Sequence, residues 1–179
     1  MEFYEKTLSV ETVYEGTVIK VERLTVELPN GNRATRDIVR NHGASVVVPI
    51  INDEIILVQQ FRKAADREFL ELPAGKLEPD EDPAVCANRE LKEETGYSAN
   101  KLEKILTLYP APAFADEALH IYLATDLIKG EATPDVDEFI TAKAYKISDV
   151  LDMIDTGRIN DSKTVAGVLY AARCMGIKG

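Results

Sequence analysis

Three glutamates, Glu90, Glu93 and Glu94, fall at positions i, i+3 and i+4 of one stretch. On an α-helix that spacing stacks the carboxylates on one face. Like charges so placed destabilise an isolated helix by about 0.2–0.5 kcal/mol per pair. They also stand in the half of the helix where the macrodipole disfavours negative charge. A sequence that accepts such a conflict marks a candidate functional site. Oxygen donors gathered on one side suit a hard cation such as Mg²⁺, which keeps several waters and also binds substrate phosphates. A solvated acidic face is the plainer reading, and for three glutamates alone the commoner one.

The helix that must carry them is well signalled. Asp82 suits the N-cap, and Pro83 suits the first helical position, where a missing N–H costs nothing. Gly96 suits a left-handed C-terminal cap. Between them Ala84, Ala87 and Leu91 recur at helical spacing and give a narrow apolar stripe.

The wider spacing is more specific. It runs Gly75, five residues, Glu81, seven residues, Arg89-Glu90-Leu91, one residue, Glu93-Glu94, one residue, Gly96. This resembles the Nudix box, the signature of hydrolases that cleave nucleoside diphosphates linked to another group. At average residue usage the seven fixed identities, the five acidic or basic residues Glu81, Arg89, Glu90, Glu93 and Glu94 with Gly75 and Gly96, match a given window about once in a hundred million. Tyr97 departs from the aliphatic residue usual at the next position. The resemblance implies an α/β fold, the Nudix α/β/α sandwich with a mixed sheet, and a divalent cation, Mg²⁺ with Mn²⁺ as a substitute. It implies Glu90, Glu94 and the Ala74 carbonyl as metal ligands. Glu93 is then a further ligand or a base that orients water. Arg89 is structural, pairing with a carboxylate such as Glu81, and Gly75 allows close approach of the backbone.

Further features resemble the ADP-ribose pyrophosphatase branch. Ala111-Pro112-Ala113-Phe114 stands where that branch often reads Ser-Pro-Gly-Phe, so Pro112 is a candidate substrate contact. Arg36 and Arg62 occupy the places of phosphate-binding arginines, a task suited to a planar fork of donors. Arg40 and Lys63 are weaker neighbours. Glu138, at the end of an acidic loop with Asp135 and Asp137, is the second candidate base. The implied reaction converts ADP-ribose and water to AMP and ribose 5-phosphate. The implied assembly is a homodimer joined through N-terminal strands. Another nucleoside diphosphate sugar as substrate, or a binding module with little catalysis, are the alternatives.

The bulk properties are compatible with this. The chain has 179 residues, 45% of them hydrophobic, enough for one substantial core. Its net charge of −10 argues against a nucleic-acid partner. A small anionic substrate remains compatible, since cations and local arginines reverse the field in a cleft. No apolar run reaches membrane-spanning length, and Cys86 and Cys174 offer neither zinc spacing nor a disulfide framework. A reduced cytoplasmic setting is expected.

Along the chain, residues 1–40 read as strands, with a turn at Pro29–Asn32, either as a separate small sheet or as an extension of the main one. The Nudix domain is expected over 41–179. Ser45–Ile51 reads as a buried strand, followed by strands at Glu54–Phe61, Glu68–Leu72, Lys101–Tyr109, Leu119–Ala124 and Phe139–Tyr145. Two helices close the chain. Ser148 is expected to cap the first, and Asp161 or Ser162 the second, whose apolar face is read as Val165, Val168, Leu169 and Ala172. His42 and His120 lack partners at metal-ligand spacing and read as structural.

Overall fold

The apolar run Ser45–Ile51 lies in the middle of a sheet covered on both faces, as a strand without a polar side must. The computed structural model describes residues 3–134 and 139–177. Asp135, Asp137 and Glu138 lie outside the described residues. Two compact units emerge, Met1–Gly43 with Tyr109–Ala118, and Ala44–Leu108 with Leu119–Gly179.

The first unit holds an antiparallel sheet of its own, in the order β1 (Lys6–Glu15), β2 (Lys20–Glu27), β3 (Arg33–Arg40). The turn between β2 and β3 closes as its residue types require. Gly31 takes φ 82°, Leu28 N–H donates to the Asn32 carbonyl at 2.8 Å, and Asn30 Oδ1 accepts from Asn32 N–H at 3.0 Å. Tyr109–Ala118 is tied to this sheet through Val39 N–H to the Phe114 carbonyl, 2.7 Å, and Asp116 N–H to the Val39 carbonyl, 3.2 Å. Every residue of β1 is exposed.

The second unit contains β4 (Ala44–Ile51), β5 (Glu54–Arg62), β6 (Arg67–Glu71), β7 (Ala74–Lys76), α1 (Pro83–Thr95), β8 (Tyr97–Leu108), β9 (Leu119–Lys129), β10 (Thr141–Lys146), α2 (Ile147–Asp155) and α3 (Ser162–Cys174). The sheet runs β10-β5-β4-β9-β8, with β6 paired to β5 and β7 to β4. The pair β4–β9 is parallel and the others are antiparallel, so the sheet is mixed. Alternation along β4 divides the core. Val47 packs with Ala87 and Leu91 of α1, while Val46 and Val48 pack with Val150 of α2 and Val168 and Ala171 of α3. The result is the expected α/β/α sandwich.

Three details differ from the sequence reading. Ser148 lies inside α2, whose N-cap is Lys146 with no side-chain bond; Ile147 N–H instead donates to the Asp53 carbonyl at 3.0 Å, which satisfies the end without a capping side chain. Leu169 is exposed, and α3 instead turns inward Thr164, Gly167, Val168, Ala171 and Ala172. Small residues on that face allow a close approach: a Cβ at Gly167 would stand 2.7 Å from Leu72 Cδ1. Finally, β8 and β9 run longer than expected because each supplies the other's hydrogen bonds, out to the pair Tyr97 and Lys129.

Candidate active site

The box helix is fixed at both ends. Asp82 Oδ1 accepts from Ala84 N–H at 2.8 Å, Pro83 opens the helix, and Gly96 closes it at φ 76° with its N–H on the Lys92 carbonyl, 2.9 Å. Burial of Cys86, Ala87 and Leu91 against the sheet sets the rotation of α1. Gly75, in β7, shows why the box needs glycine there. A Cβ built on it would lie 1.9 Å from Cδ and Oε1 of Glu90. The Glu90 carboxyl group occupies the space that any side chain at 75 would fill.

Arg89 answers much of the like-charge conflict. Its Nε and Nη2 donate to the two oxygens of Glu81, both at 3.0 Å. Its Nη1 donates to Glu90 Oε1 at 2.6 Å and Glu93 Oε2 at 2.9 Å, and Nη2 also reaches the Lys76 carbonyl at 3.2 Å. The hydrogen bonds from Arg89 hold the Glu81 carboxyl down at about 2, and those carboxylates push Arg89 further up. Glu94 is held differently. It is buried at 6% exposure, and its Oε2 accepts from Ala74 N–H at 3.0 Å. The Cys86 thiol packs under this join, with Sγ 3.4 Å from the Lys76 carbonyl, and burial raises it to about 11.

The donor set fits a hard divalent cation. Glu90, Glu93 and Glu94 present carboxylate oxygens from one helix, beside the backbone at Ala74. Three carboxylates, Glu81, Glu90 and Glu93, share the Arg89 guanidinium, while Glu94 adds to the field at Arg62. Among the described residues, no group of three or more His, Cys, Asp or Glu side chains is already arranged as a metal cluster. Glu90 and Glu93 are turned onto Arg89 instead.

Thus Ala74, Glu90, Glu93 and Glu94 come together in the second unit. Arg62, at the end of β5, belongs to the same unit. Its Nε and Nη2 grip Glu71 at 2.9 and 2.8 Å, which raises its pKa, and the charge of Glu94 adds to that shift. Arg36 and Pro112 belong to the first unit. Arg36 donates to Glu5 at 3.0 and 2.6 Å. Pro112 lines a small cavity with Leu24, Ile38, Arg40 and Tyr109. Arg40 is held by Glu22 and Asp116, at 2.8 and 3.0 Å, and Lys63 by Asp66 at 2.6 Å. His120 lies on β9 with a buried Nδ1 that has no partner; burial lowers its pKa.

Sequence reasoning missed Glu71, Lys163 and Thr164, which form a network beneath Arg62 with Asp161, expected only as a cap of α3 and found capping it. The signal was present. Lys163 sits in the first turn of α3, where the helix dipole disfavours a cation.

Comparison with known proteins shows the family. Residues 41–167 match the NUDIX domain, and residues 5–39 match the nucleoside diphosphate sugar hydrolase N-terminal domain. The chain is 44% identical to a methanol dehydrogenase activator of Bacillus methanolicus, over 94% of this chain and 92% of that protein. It is 41% identical to an ADP-ribose pyrophosphatase of Bacillus subtilis (strain 168), over 93% and 91%. The crystal structure of an ADP compounds hydrolase superposes with a TM-score of 0.87 at 28% identity, covering 96% of this chain and 94% of that one. The chain is a Nudix hydrolase, a member of the family whose box it carries.

Proposed function

We propose that this hydrolase cleaves the diphosphate of ADP-ribose, in the presence of Mg²⁺, to AMP and ribose 5-phosphate. The observation that carries the proposal is the close seat of Glu90 on Gly75 beside a buried Glu94, which gives a rigid oxygen-donor face next to a backbone with no side chain. The similarity to an ADP-ribose pyrophosphatase supports the substrate.

In this reading Glu90, Glu94 and the Ala74 carbonyl hold the cation. When bound, the metal neutralises charge on the diphosphate oxygens and makes a water more acidic. Glu93, or Glu138 from the acidic loop, takes the proton as the water oxygen bonds to phosphorus and the bridging P–O bond breaks. Arg36 and Arg62 bind phosphate oxygens, and Pro112 shapes the nucleotide's surroundings. Arg89 stays paired with Glu81 and keeps the loop joined to the helix. The assembly in this reading is a homodimer formed through the exposed β1. The setting is the cytoplasm, with Cys86 and Cys174 both free thiols. No described helix is long and apolar enough to cross a membrane.

The test is a panel with Mg²⁺ containing ADP-ribose and GDP-mannose. ADP-ribose is expected to give AMP with the higher kcat/KM. Glu94→Gln, which keeps an acceptor for Ala74 N–H, is expected to lose roughly three orders of magnitude of turnover while melting close to wild type. Preference for GDP-mannose, or wild-type turnover by Glu94→Gln, overturns the reading.

A second reading rests on the relative named a methanol dehydrogenase activator: the chain stimulates a dehydrogenase. Stimulation of methanol dehydrogenase by the wild type would support it, and no change in that enzyme's rate would remove it.

A further inference from the structure

Glu71 is a carboxylate at 3% side-chain exposure, at the end of β6. A buried carboxylate is costly unless cations and hydrogen bonds surround it. Two cations do. Arg62 grips both oxygens, at 2.9 and 2.8 Å, and Lys163 Nζ donates to Oε2 from the first turn of α3. Burial alone would push the Glu71 carboxyl up; the bonds from Arg62 and Lys163 outweigh it and leave the group below its usual range. Lys163 is itself mostly covered, at 12% exposure, and also donates to Asp161 at 2.9 Å.

The rest of the network is tied to the backbone. Asp161 caps α3 by accepting from Thr164 N–H and Oγ1–H, at 3.0 and 2.6 Å. Thr164 Oγ1 accepts from Leu72 N–H at 2.9 Å. The chain then passes through Pro73 to Ala74, whose N–H holds Glu94. Arg62 is the exposed end of this network, with 43% of its side chain open. Its Nε and Nη2 are engaged below, which fixes the plane of the guanidinium.

We propose that Lys163 is a positioning residue for the hydrolysis. It shares the charge of Glu71, so that the buried carboxylate stays in place and presents Arg62 in one orientation to the substrate's diphosphate. The misplaced charge at the start of α3 is then explained by what it does for Arg62, not for the helix. This rests on Arg62 meeting phosphate, as in the function proposed above.

The test is a double-mutant cycle on the full chain, with Lys163→Met, Arg62→Ala and the pair. It is read as KM and kcat on whichever diphosphate the wild type hydrolyses best, so a wrong substrate assignment does not disable it. Lys163→Met is expected to raise KM about tenfold with a much smaller change in kcat. In the Arg62→Ala background the same change is expected to add little, since the residue it acts through is gone. Lys163→Arg, which keeps the charge, is expected to restore most of the loss. If Lys163→Met does not fold, Lys163→Arg and Lys163→Gln, each checked by thermal melting, carry the cycle. Equal and independent effects in both backgrounds, or loss of activity only in step with loss of folded protein, overturn the proposal. So does a wild type that hydrolyses nothing in the panel. Turnover of GDP-mannose but not ADP-ribose, with the coupling intact, overturns the substrate reading and leaves this one standing.

Discussion

The two sheets are built from similar β-branched strands, yet different forces hold them. β4 is buried along all but its end residues, with side chains packed on both faces. β1 is exposed along its whole length, and Val26 is the one buried hydrophobic among the described residues of β1, β2 and β3. Cross-strand ion pairs replace a core there: Arg23 with Asp37 at 2.8 Å, and Arg40 with Glu22 at 2.8 Å. Arg23 and Asp37 are both open to solvent, which screens their attraction. The seven-stranded sheet instead buries a carboxylate, Glu71, between Arg62 and Lys163. Rigid placement of charge therefore belongs to the sheet with a core. The other sheet leaves Leu8, Val10, Val13 and Tyr14 of its edge strand exposed among polar neighbours.

Core truncation tests this contrast most strongly. Leu57→Ala, at a fully buried position in β5, is expected to destabilise by about 2–5 kcal/mol in urea unfolding. Val10→Ala, at 54% exposure in β1, is expected to change stability by less than about 0.5 kcal/mol. Similar values for the two would erase the distinction.

Gly75→Ala comes next. The added methyl must displace the Glu90 carboxyl, since its Cβ would stand 1.9 Å from it. A misplacement of that size in a catalytic group is expected to cost about a hundredfold in turnover. The melting temperature should move little, because Gly75 is only partly buried in a strand of three residues. Undiminished turnover would show that Glu90 does not need its seat.

Acid sensitivity is a smaller effect with a definite sign. Arg89 holds the Glu81 carboxyl at about 2, against 4.5 for the free group. A lowered folded-state pKa adds stability that is complete above 4.5 and is lost as pH falls toward 2. Glu71 acts in the same direction. Arg89→Met is expected to be less stable at pH 6 and to show a shallower fall across that window. Melting curves from pH 6 to pH 2 check it, and parallel slopes for the two proteins would rule it out.

Local signals explain what was legible. The box helix could be placed because its ends are set by neighbours in sequence: Asp82 caps Ala84, Pro83 follows, and Gly96 turns left-handed. The pairing of Arg89 with a carboxylate such as Glu81 was implied by the resemblance to the Nudix box, and it stands in the structure at 3.0 Å. Distant partners were not readable. Nothing near Ile147 says that the Asp53 carbonyl will satisfy its N–H, so a capping serine was expected instead. Nothing near Lys163 names Glu71 as its partner across 92 residues. The attachment of Tyr109–Ala118 to the first unit depends on a bridge between Val39 and Ala115, which only the folded chain brings together. Leu169 was assigned inward from periodicity, but close packing through Gly167 and Ala171 selected a smaller-residue face.

The last prediction concerns that exposed edge. Leu8, Val10, Val13 and Tyr14 all stand open on β1, at 40%, 54%, 48% and 56% exposure. If a second copy covers them, a charge placed there must be desolvated on association, whereas in a monomer it stays in water. Val10→Lys is therefore expected to shift sedimentation from dimer to monomer while leaving the unfolding of the second unit unchanged. The magnitude in stability is small because Val10 has few contacts to lose within its own chain. A wild type that sediments as a monomer at micromolar concentration would mean that β1 has no partner of its own kind. The contrast between the sheets would then reflect only how much core each can build.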